Sequence, residues 1–295
     1  MNNLSTLLEY LVEDMNEAAK SVREAISEKL AVYASDENII LYNPQAALNN
    51  INDNIKRELE YKAKFPKIRI PAEDVISFED AIVGIVTAEP NDYCGDNTYE
   101  VRYSAALSGY GPLLYDLVLS HIYPGFLVSD RGSVSPQAQK VWNFYFNNRP
   151  DVNKQLITSI YDPQLDDKCR MPEEMYRRYP NLYKFIDAVD RLAIELDDAI
   201  YQDQNPQTIA KLQSQLDKAK QKAQQYFSNM PIAYRYQIKS PKGLTALKNN
   251  HTRFLQSIMA IVPKKLIDKN PYLKNVTEDV LVQEAEDFFN VMFFR

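Results

Sequence analysis

The stretch between residues 81 and 149 constrains the fold most, because strand and helix patterns alternate along it. Ala81–Thr87 is a short apolar run rich in β-branched residues, which is typical of a buried strand. Residues 98–104 alternate in polarity, and the turn-forming residues before them indicate a hairpin. Further along follow an apolar helix, a short strand and a second helix, at about residues 112–121, 126–128 and 135–149. This order predicts an α/β unit built on a mixed sheet.

Helical patterns dominate on both sides of this stretch. Apolar residues recur at helical spacing from Leu4 to about Ala34, and Asn43-Pro44 has the form of a helix start. These N-terminal helices either pack on the body of the protein or form an oligomer interface. We predict an α+β protein whose mixed sheet carries extensive added helices. Its four segments are an N-terminal helical arm, a core, a loop with an inserted helical hairpin, and a returning strand with C-terminal helices, at residues 1–65, 66–161, 162–231 and 232–295.

Composition argues against several classes of function. The formal charge is 34 − 40 = −6, so general nucleic-acid binding is not expected, although a local basic patch remains possible. The longest apolar run, Ala81–Ala88, is too short to span a bilayer, and we expect no membrane partner. Two isolated histidines give no metal-ligand spacing. Cys94 and Cys169 allow one disulfide, but a reduced, cytoplasmic setting is the simpler interpretation.

The loop Ser108-Gly-Tyr-Gly-Pro112 lies between a predicted strand and a predicted helix. Its glycines let the backbone approach a ligand closely, and Pro112 suits the first turn of a helix. Main-chain amides gathered at a helix N-terminus favour phosphate. No lysine follows as in a P-loop, and no third glycine follows as in a Rossmann motif. A tight turn without a ligand is the alternative. The amides that can converge are those of Gly109, Tyr110, Gly111, Leu113 and Leu114.

Residues 99–149 resemble the core of the GNAT superfamily of acyl-CoA-dependent N-acetyltransferases, most closely the GNAT-like proteins of tailed phages and prophages. The resemblance rests on VRYSAALSGYGPLLYDLVLS and SDRGSVSPQAQKVWNFYFNNR, and the range 99–149 covers about a sixth of the chain. It implies a GNAT-like mixed sheet that binds acetyl-CoA. In that family the fourth strand leads into a loop of pattern Q/R-x-x-G-x-G/A, whose amides grip the pyrophosphate. Gly109 and Gly111 fall on its two small positions, whereas Ala106 replaces Gln or Arg.

The resemblance also implies where the rest of the cofactor would lie. The backbone of Tyr99, Val101 and Tyr103 would hold the pantetheine arm in the splay between neighbouring strands. A later helix of the family often carries a tyrosine that protonates the leaving thiolate. Here Trp142 occupies that place, and Tyr145, one turn on, is the candidate acid.

Acyl transfer to an amine also requires a base. Glu100, beside the cofactor loop, is the first candidate, and Asp130 is the second. The alternatives are a strand carboxylate for Glu100, a turn or cap residue for Asp130, and core packing for Tyr145. We expect transfer of an acetyl group from acetyl-CoA to an amine on an unknown acceptor, either a protein or a small molecule. The alternative is a non-catalytic GNAT-fold structural or interaction protein of a phage particle or of a host takeover system.

Overall fold

The computed structural model of the chain describes residues 20–132, 134–157, 169, 179–241, 243–263, 266 and 272–293, with side chains up to residue 287. It contains both long helices and a mixed sheet, so the α+β class predicted from the sequence is confirmed.

The N-terminal part contains strands as well as helices. Its elements are α1 (Val22–Ser27), β1 (Ala31–Ala34), β2 (Asn38–Tyr42) and α2 (Pro44–Lys64). Ser21 and Glu24 form a capping box at the start of α1, and Asn43 caps α2 as predicted. The single helix expected up to Ala34 is wrong in its last part, because β1 occupies residues 31–34. Residues 1–19 lie outside the described part of the chain.

The central elements follow the predicted order. They are β3 (Ile82–Pro90), β4 (Thr98–Ala106), α3 (Gly111–His121), β5 (Phe126–Val128), α4 (Pro136–Asn148) and β6 (Val152–Leu156). Ser135 caps α4 by accepting a hydrogen bond from the amide of Ala138. β6 follows α4 after a short connection and begins at Val152.

The remaining elements include the predicted helical hairpin and the returning strand. They are α5 (Pro180–Tyr201), α6 (Pro206–Phe227), β7 (Tyr234–Ile238), α7 (Leu244–Ile261) and α8 (Leu273–Phe293). Apolar residues of α5 and α6, among them Val189, Leu196 and Leu216, form a cluster between the two helices. Within the described ranges, no helix combines the length and the apolarity needed to cross a membrane.

Seven strands of the described residues are hydrogen-bonded in the order β1-β2-β3-β4-β5-β7-β6. β2 is antiparallel to β1 and to β3, and β7 is antiparallel to β5 and to β6. β4 and β5 are parallel, and their register covers only Thr98–Glu100 against Phe126–Val128. β4 continues to Ala106, so its second half lies beyond this parallel register.

The chain divides into two compact units. Unit 1 comprises Met1–Glu89, Val101–Tyr123 and Ser240–Arg295, and unit 2 comprises Pro90–Glu100 and Pro124–Lys239. Each unit therefore combines separate stretches, whereas the four predicted segments follow chain order and stay a prediction. Unit 1 has a core that includes Tyr42, Phe78 and Phe254. Unit 2 buries Trp142, Tyr145 and Tyr236.

Unit 2 also contains a disulfide between Cys94 and Cys169, whose Cα atoms are 5.1 Å apart. The sequence favoured two reduced thiols, and the structure differs because the fold brings together two residues that are 75 positions apart. Both cysteines are buried, in a small cluster with Val128 and Ile157.

Candidate functional site

The loop between β4 and α3 is the predicted cofactor loop. Gly109 adopts a positive φ of 80°, which glycine tolerates without strain, and α3 begins at Gly111 with Pro112 in its first turn. The amide of Tyr110 donates to the carbonyl of Leu107 at 3.1 Å, and the amide of Leu114 donates to Tyr110 at 3.1 Å. Main-chain bonds therefore use two of the five predicted phosphate ligands. The side chain of Tyr110, the residue before α3, makes no capping hydrogen bond to the helix.

The segment that leads into α1 lies against this loop. The amide of Lys20 donates to the carbonyl of Gly109 at 2.9 Å, and the hydroxyl of Tyr110 donates to Glu28 at 2.6 Å. Lys20 pairs with Glu28 at 3.3 Å, and its ammonium lies 5.9 Å from the ring centroid of Tyr110. These contacts fix the loop and add both a positive and a negative charge beside it.

Leu113 and Leu114 contribute to this region through their main chain only. Both side chains are fully buried, which anchors the first turn of α3. A Cβ atom added to Gly84 of β3 would lie 2.7 Å from Cδ1 of Leu114. The start of α3 is therefore held close to the backbone of β3.

The three predicted pantetheine contacts differ in environment. Tyr99 is opposite Leu127 in the parallel register, and the side chain of Val101 is buried. The hydroxyl of Tyr103 is buried and has no hydrogen-bond partner among the described residues. Burial, and to a lesser extent the charge of Glu286, raises the pKa of Tyr103 to about 12.

Glu100 is the centre of a buried polar cluster in unit 2. Its side chain is 1% exposed, and its Oε2 accepts a hydrogen bond from Asn91 Nδ2 at 2.5 Å. Its Oε1 accepts one from the main-chain amide of Arg131 at 2.7 Å. Both oxygens are thus engaged in holding the end of β3 and the loop after β5. The role of Glu100 as a base stays a prediction.

The side chain of Arg131 completes this cluster. Its Nε donates to the carbonyl of Ser129 at 3.0 Å, and its Nη2 donates to Ser129 Oγ at 2.8 Å and to the carbonyl of Ile232 at 3.0 Å. Arg131 is only 4% exposed, and its guanidinium is hydrogen-bonded to these groups.

Asp130, the second candidate base, is more accessible than Glu100. It is half-buried, and its Oδ1 accepts a hydrogen bond from the amide of Gly132 at 2.5 Å. In many turns an aspartate side chain accepts a hydrogen bond from the main-chain amide two residues later. Asp130 thus makes a turn contact, which was the alternative to catalysis, and its role as a base stays a prediction.

Tyr145, the candidate acid, lies in the aromatic core of unit 2. It is fully buried, and the guanidinium carbon of Arg149 lies 4.8 Å from its ring centroid. Trp142 is 1% exposed and packs on Tyr236 with ring centroids 5.3 Å apart. Proton donation by Tyr145 stays a prediction, and it would require this packing to open.

The structure also assembles a buried polar chain that sequence reasoning missed. The hydroxyl of Tyr42 and Nδ1 of His251 are 2.8 Å apart, and Nε2 of His251 lies 3.5 Å from Glu278. Burial lowers the pKa of His251, and the partly buried carboxylate of Glu278 opposes this shift. No local motif could reveal the pair, because Tyr42 and His251 are 209 residues apart.

Within the described part of the chain, no group of three or more histidine, cysteine, aspartate or glutamate side chains is arranged to hold a metal ion. No protein-family model, curated protein or solved structure matches this chain.

Proposed function

We propose that this protein is a GNAT-like acyltransferase that binds acetyl-CoA and transfers its acetyl group to an amine. The observation that carries the proposal is the strand–loop–helix unit formed by β4, Gly109 and α3. It is the fourth strand that leads into the loop, as in the family that the sequence resembles. The start of α3 has no cap from Tyr110, so its positive end is suited to a phosphate.

The phosphate ligands would be main-chain amides. Those of Tyr110 and Leu114 are already bonded to carbonyls, which leaves Gly109, Gly111 and Leu113 as the amides that would face the pyrophosphate. Gly111 and Leu113 belong to the first turn of the helix, where amides have no intrahelical acceptor. The ammonium of Lys20 lies beside Tyr110, and it would contact a phosphate by exchanging its ion pair with Glu28.

β4 would bind the pantetheine arm beyond the phosphate site. Its parallel register with β5 stops at Glu100, while the strand continues to Ala106. The main chain around Val101 and Tyr103 would then bond to the amide groups of the arm, much as a peptide adds to a strand edge.

Acetyl-CoA would supply the thioester. Glu100 or Asp130 would accept a proton from the ammonium of the acceptor, and Tyr145 would donate one to the departing thiolate. Amides near the reacting carbonyl would stabilise the oxyanion that forms when the amine attacks. Of the two candidate bases, Asp130 has the more accessible side chain.

A non-catalytic structural or interaction role, in a phage particle or a host takeover system, is the second candidate. It is favoured by the burial of Glu100 and Tyr145, since a proton donor or acceptor has to reach the reacting atoms. In this role the loop would be a turn that needs no ligand.

Calorimetry with acetyl-CoA tests the binding step. We expect the unmodified protein to bind it and Gly111→Leu to lose at least about tenfold in affinity, because the added side chain would occupy the space before the helix. The matched control is Gln137→Leu, which places the same side chain in the first turn of α4 at an exposed position. Thermal melting of both variants shows whether the fold is retained.

Transfer of label from acetyl-CoA to components of a lysate tests turnover. Binding without transfer would favour the non-catalytic alternative. Absence of binding by the unmodified protein, or equal binding by Gly111→Leu and Gln137→Leu, would show that acetyl-CoA does not bind at this loop.

A further inference from the structure

Basic residues are concentrated at the C-terminal end of α2 and directly after it. Residues 61–69 read Tyr-Lys-Ala-Lys-Phe-Pro-Lys-Ile-Arg, with four basic and no acidic residues in a chain whose formal charge is −6. Lys64 and Lys67 are exposed. The nearest acidic residues along the sequence are Glu60 on α2 and Glu73 beyond the run, so the basic residues are contiguous in the chain.

Two aromatic rings lie within this run. Tyr61 is 46% exposed and Phe65 is 50% exposed, although aromatic side chains of this size are usually well covered. Their ring centroids are 4.9 Å apart, and the ring planes make an angle of 49°. Ile68 is 36% exposed. We call residues 61–69 the basic–aromatic segment.

The core of unit 1 holds this segment at both ends. Ile55 on α2 and Ile70 after the run are buried in the same core. Between them the amide of Phe65 donates to Tyr61 at 3.0 Å, and the amide of Ile68 donates to Phe65 at 3.1 Å. Pro66 lies inside the resulting turn. The rings and the cations are therefore presented on a fixed backbone.

We propose that the basic–aromatic segment binds single-stranded nucleic acid. Lys64 and Lys67 would contact phosphates, and the half-exposed faces of Tyr61 and Phe65 would stack on unpaired bases. In a duplex the base faces are already stacked on one another. A duplex would therefore contact the basic side chains but not the two rings. An anionic lipid surface would also use the charges, but two rings tilted against each other offer separate faces for stacking. This inference does not depend on the acyltransferase proposal.

Fluorescence anisotropy of the full chain with a labelled oligothymidine of about 20 nucleotides tests the proposal. We expect binding at about 50 mM NaCl that weakens with salt, with a log–log slope of about −1.4 for phosphate contacts by Lys64 and Lys67. Tyr61→Ala with Phe65→Ala should weaken binding by about tenfold, as should Lys64→Glu with Lys67→Glu. All four side chains are exposed, so melting temperatures should stay near that of the unmodified protein.

Matched controls exist on the helical hairpin. Tyr201, on α5, is 91% exposed, and Lys218 and Lys220 are exposed on α6. Tyr201→Ala, and Lys218→Glu with Lys220→Glu, should leave binding unchanged.

Three results with oligothymidine would overturn the proposal, and so would one result with lipid vesicles. The first is no binding of oligothymidine by the unmodified protein. The second is equal losses in the control variants. The third is a loss in the lysine variant but not in the aromatic variant, because stacking would then play no part. Tighter binding to phosphatidylglycerol vesicles than to oligothymidine would likewise assign the segment to a lipid surface.

Discussion

At the scale of single residues, Glu100 is the most consequential side chain of unit 2. A carboxylate can accept hydrogen bonds at both oxygens, and here it does so from Asn91 and from the amide of Arg131. Charge-assisted bonds of this kind are stronger than neutral ones, and at 1% exposure no water replaces a lost partner. Glu100 therefore holds two loops to β4.

We expect Glu100→Gln to lower the free energy of unfolding by about 1.5–3 kcal/mol. The amide that replaces one oxygen is a donor, and it would face another donor in a buried place. Urea unfolding followed by fluorescence measures the loss, since Trp142 is the only tryptophan and belongs to unit 2. Glu89→Gln is the control, because Glu89 is 42% exposed in its pair with Arg102.

A midpoint for Glu100→Gln equal to that of Glu89→Gln would contradict the structural role and leave Glu100 free to act as a base. The sequence could not decide between these roles. Residues 98–104 alternate in polarity, which predicts a strand but not which polar residue has buried partners. Arg131 lies 31 positions from Glu100, so no local pattern connects them.

At the scale of secondary structure, the elements with clear end signals were predicted best. Asn43-Pro44 and Ser135-Pro136 each start a helix in the structure. β1 was missed because no glycine or proline separates it from α1. The chain leaves α1 through Lys29, whose φ of 58° is a left-handed conformation that usually calls for glycine.

The contact between β3 and α3 gives a prediction at this scale. Gly84→Ala would place a Cβ 2.7 Å from Leu114 Cδ1 and 3.1 Å from the carbonyl of Ala105. Backbone cannot move aside as a flexible side chain can, so we expect a loss of about 1–3 kcal/mol in unfolding free energy. Thermal and urea unfolding by circular dichroism measure it.

Gly132→Ala is the control for Gly84→Ala. Gly132 is exposed, and a Cβ there would meet only the carboxylate of Asp130 at 3.1 Å. We expect a loss below about 1 kcal/mol for Gly132→Ala. Equal losses in the two variants would show that α3 is not packed tightly on β3. The start of α3 would then be free to shift, which weakens the case for a fixed phosphate site.

At the scale of the whole molecule, the sequence predicted the class and the order of central elements but not the assembly of the units. Both histidines of the chain lie in unit 1. His121 contacts the carbonyl of Ser35 at 2.9 Å and the ammonium of Lys248 at 3.1 Å. Burial is the largest cause that lowers the pKa of His121, and the charge of Lys248 adds to it.

The lowered histidine pKa values predict how stability depends on pH. Below the ordinary value of 6.5, the unfolded chain binds protons that the folded chain does not yet accept. The free energy of unfolding should therefore fall as the pH drops through 6.5, and the fall should end below the folded pKa. Each histidine contributes at most about 1.4 kcal/mol per pH unit. Urea unfolding between about pH 7.5 and pH 5.5 covers this window.

The double variant His121→Gln and His251→Gln should flatten this dependence, because no other histidine remains. Glu284 changes the stability in the opposite direction, because burial raises its pKa above the ordinary 4.5 and the folded protein then gains stability as the pH falls. The double variant retains Glu284, so its contribution is the same in both proteins. The competing outcome comes from Glu278, which would raise the pKa of His251 if their pairing outweighed burial. At 3.5 Å the pair is long, and the His251 side chain is only 11% exposed, so burial should prevail. A protein that becomes more stable between pH 7.5 and about pH 5.5 would instead show that the ion pair dominates.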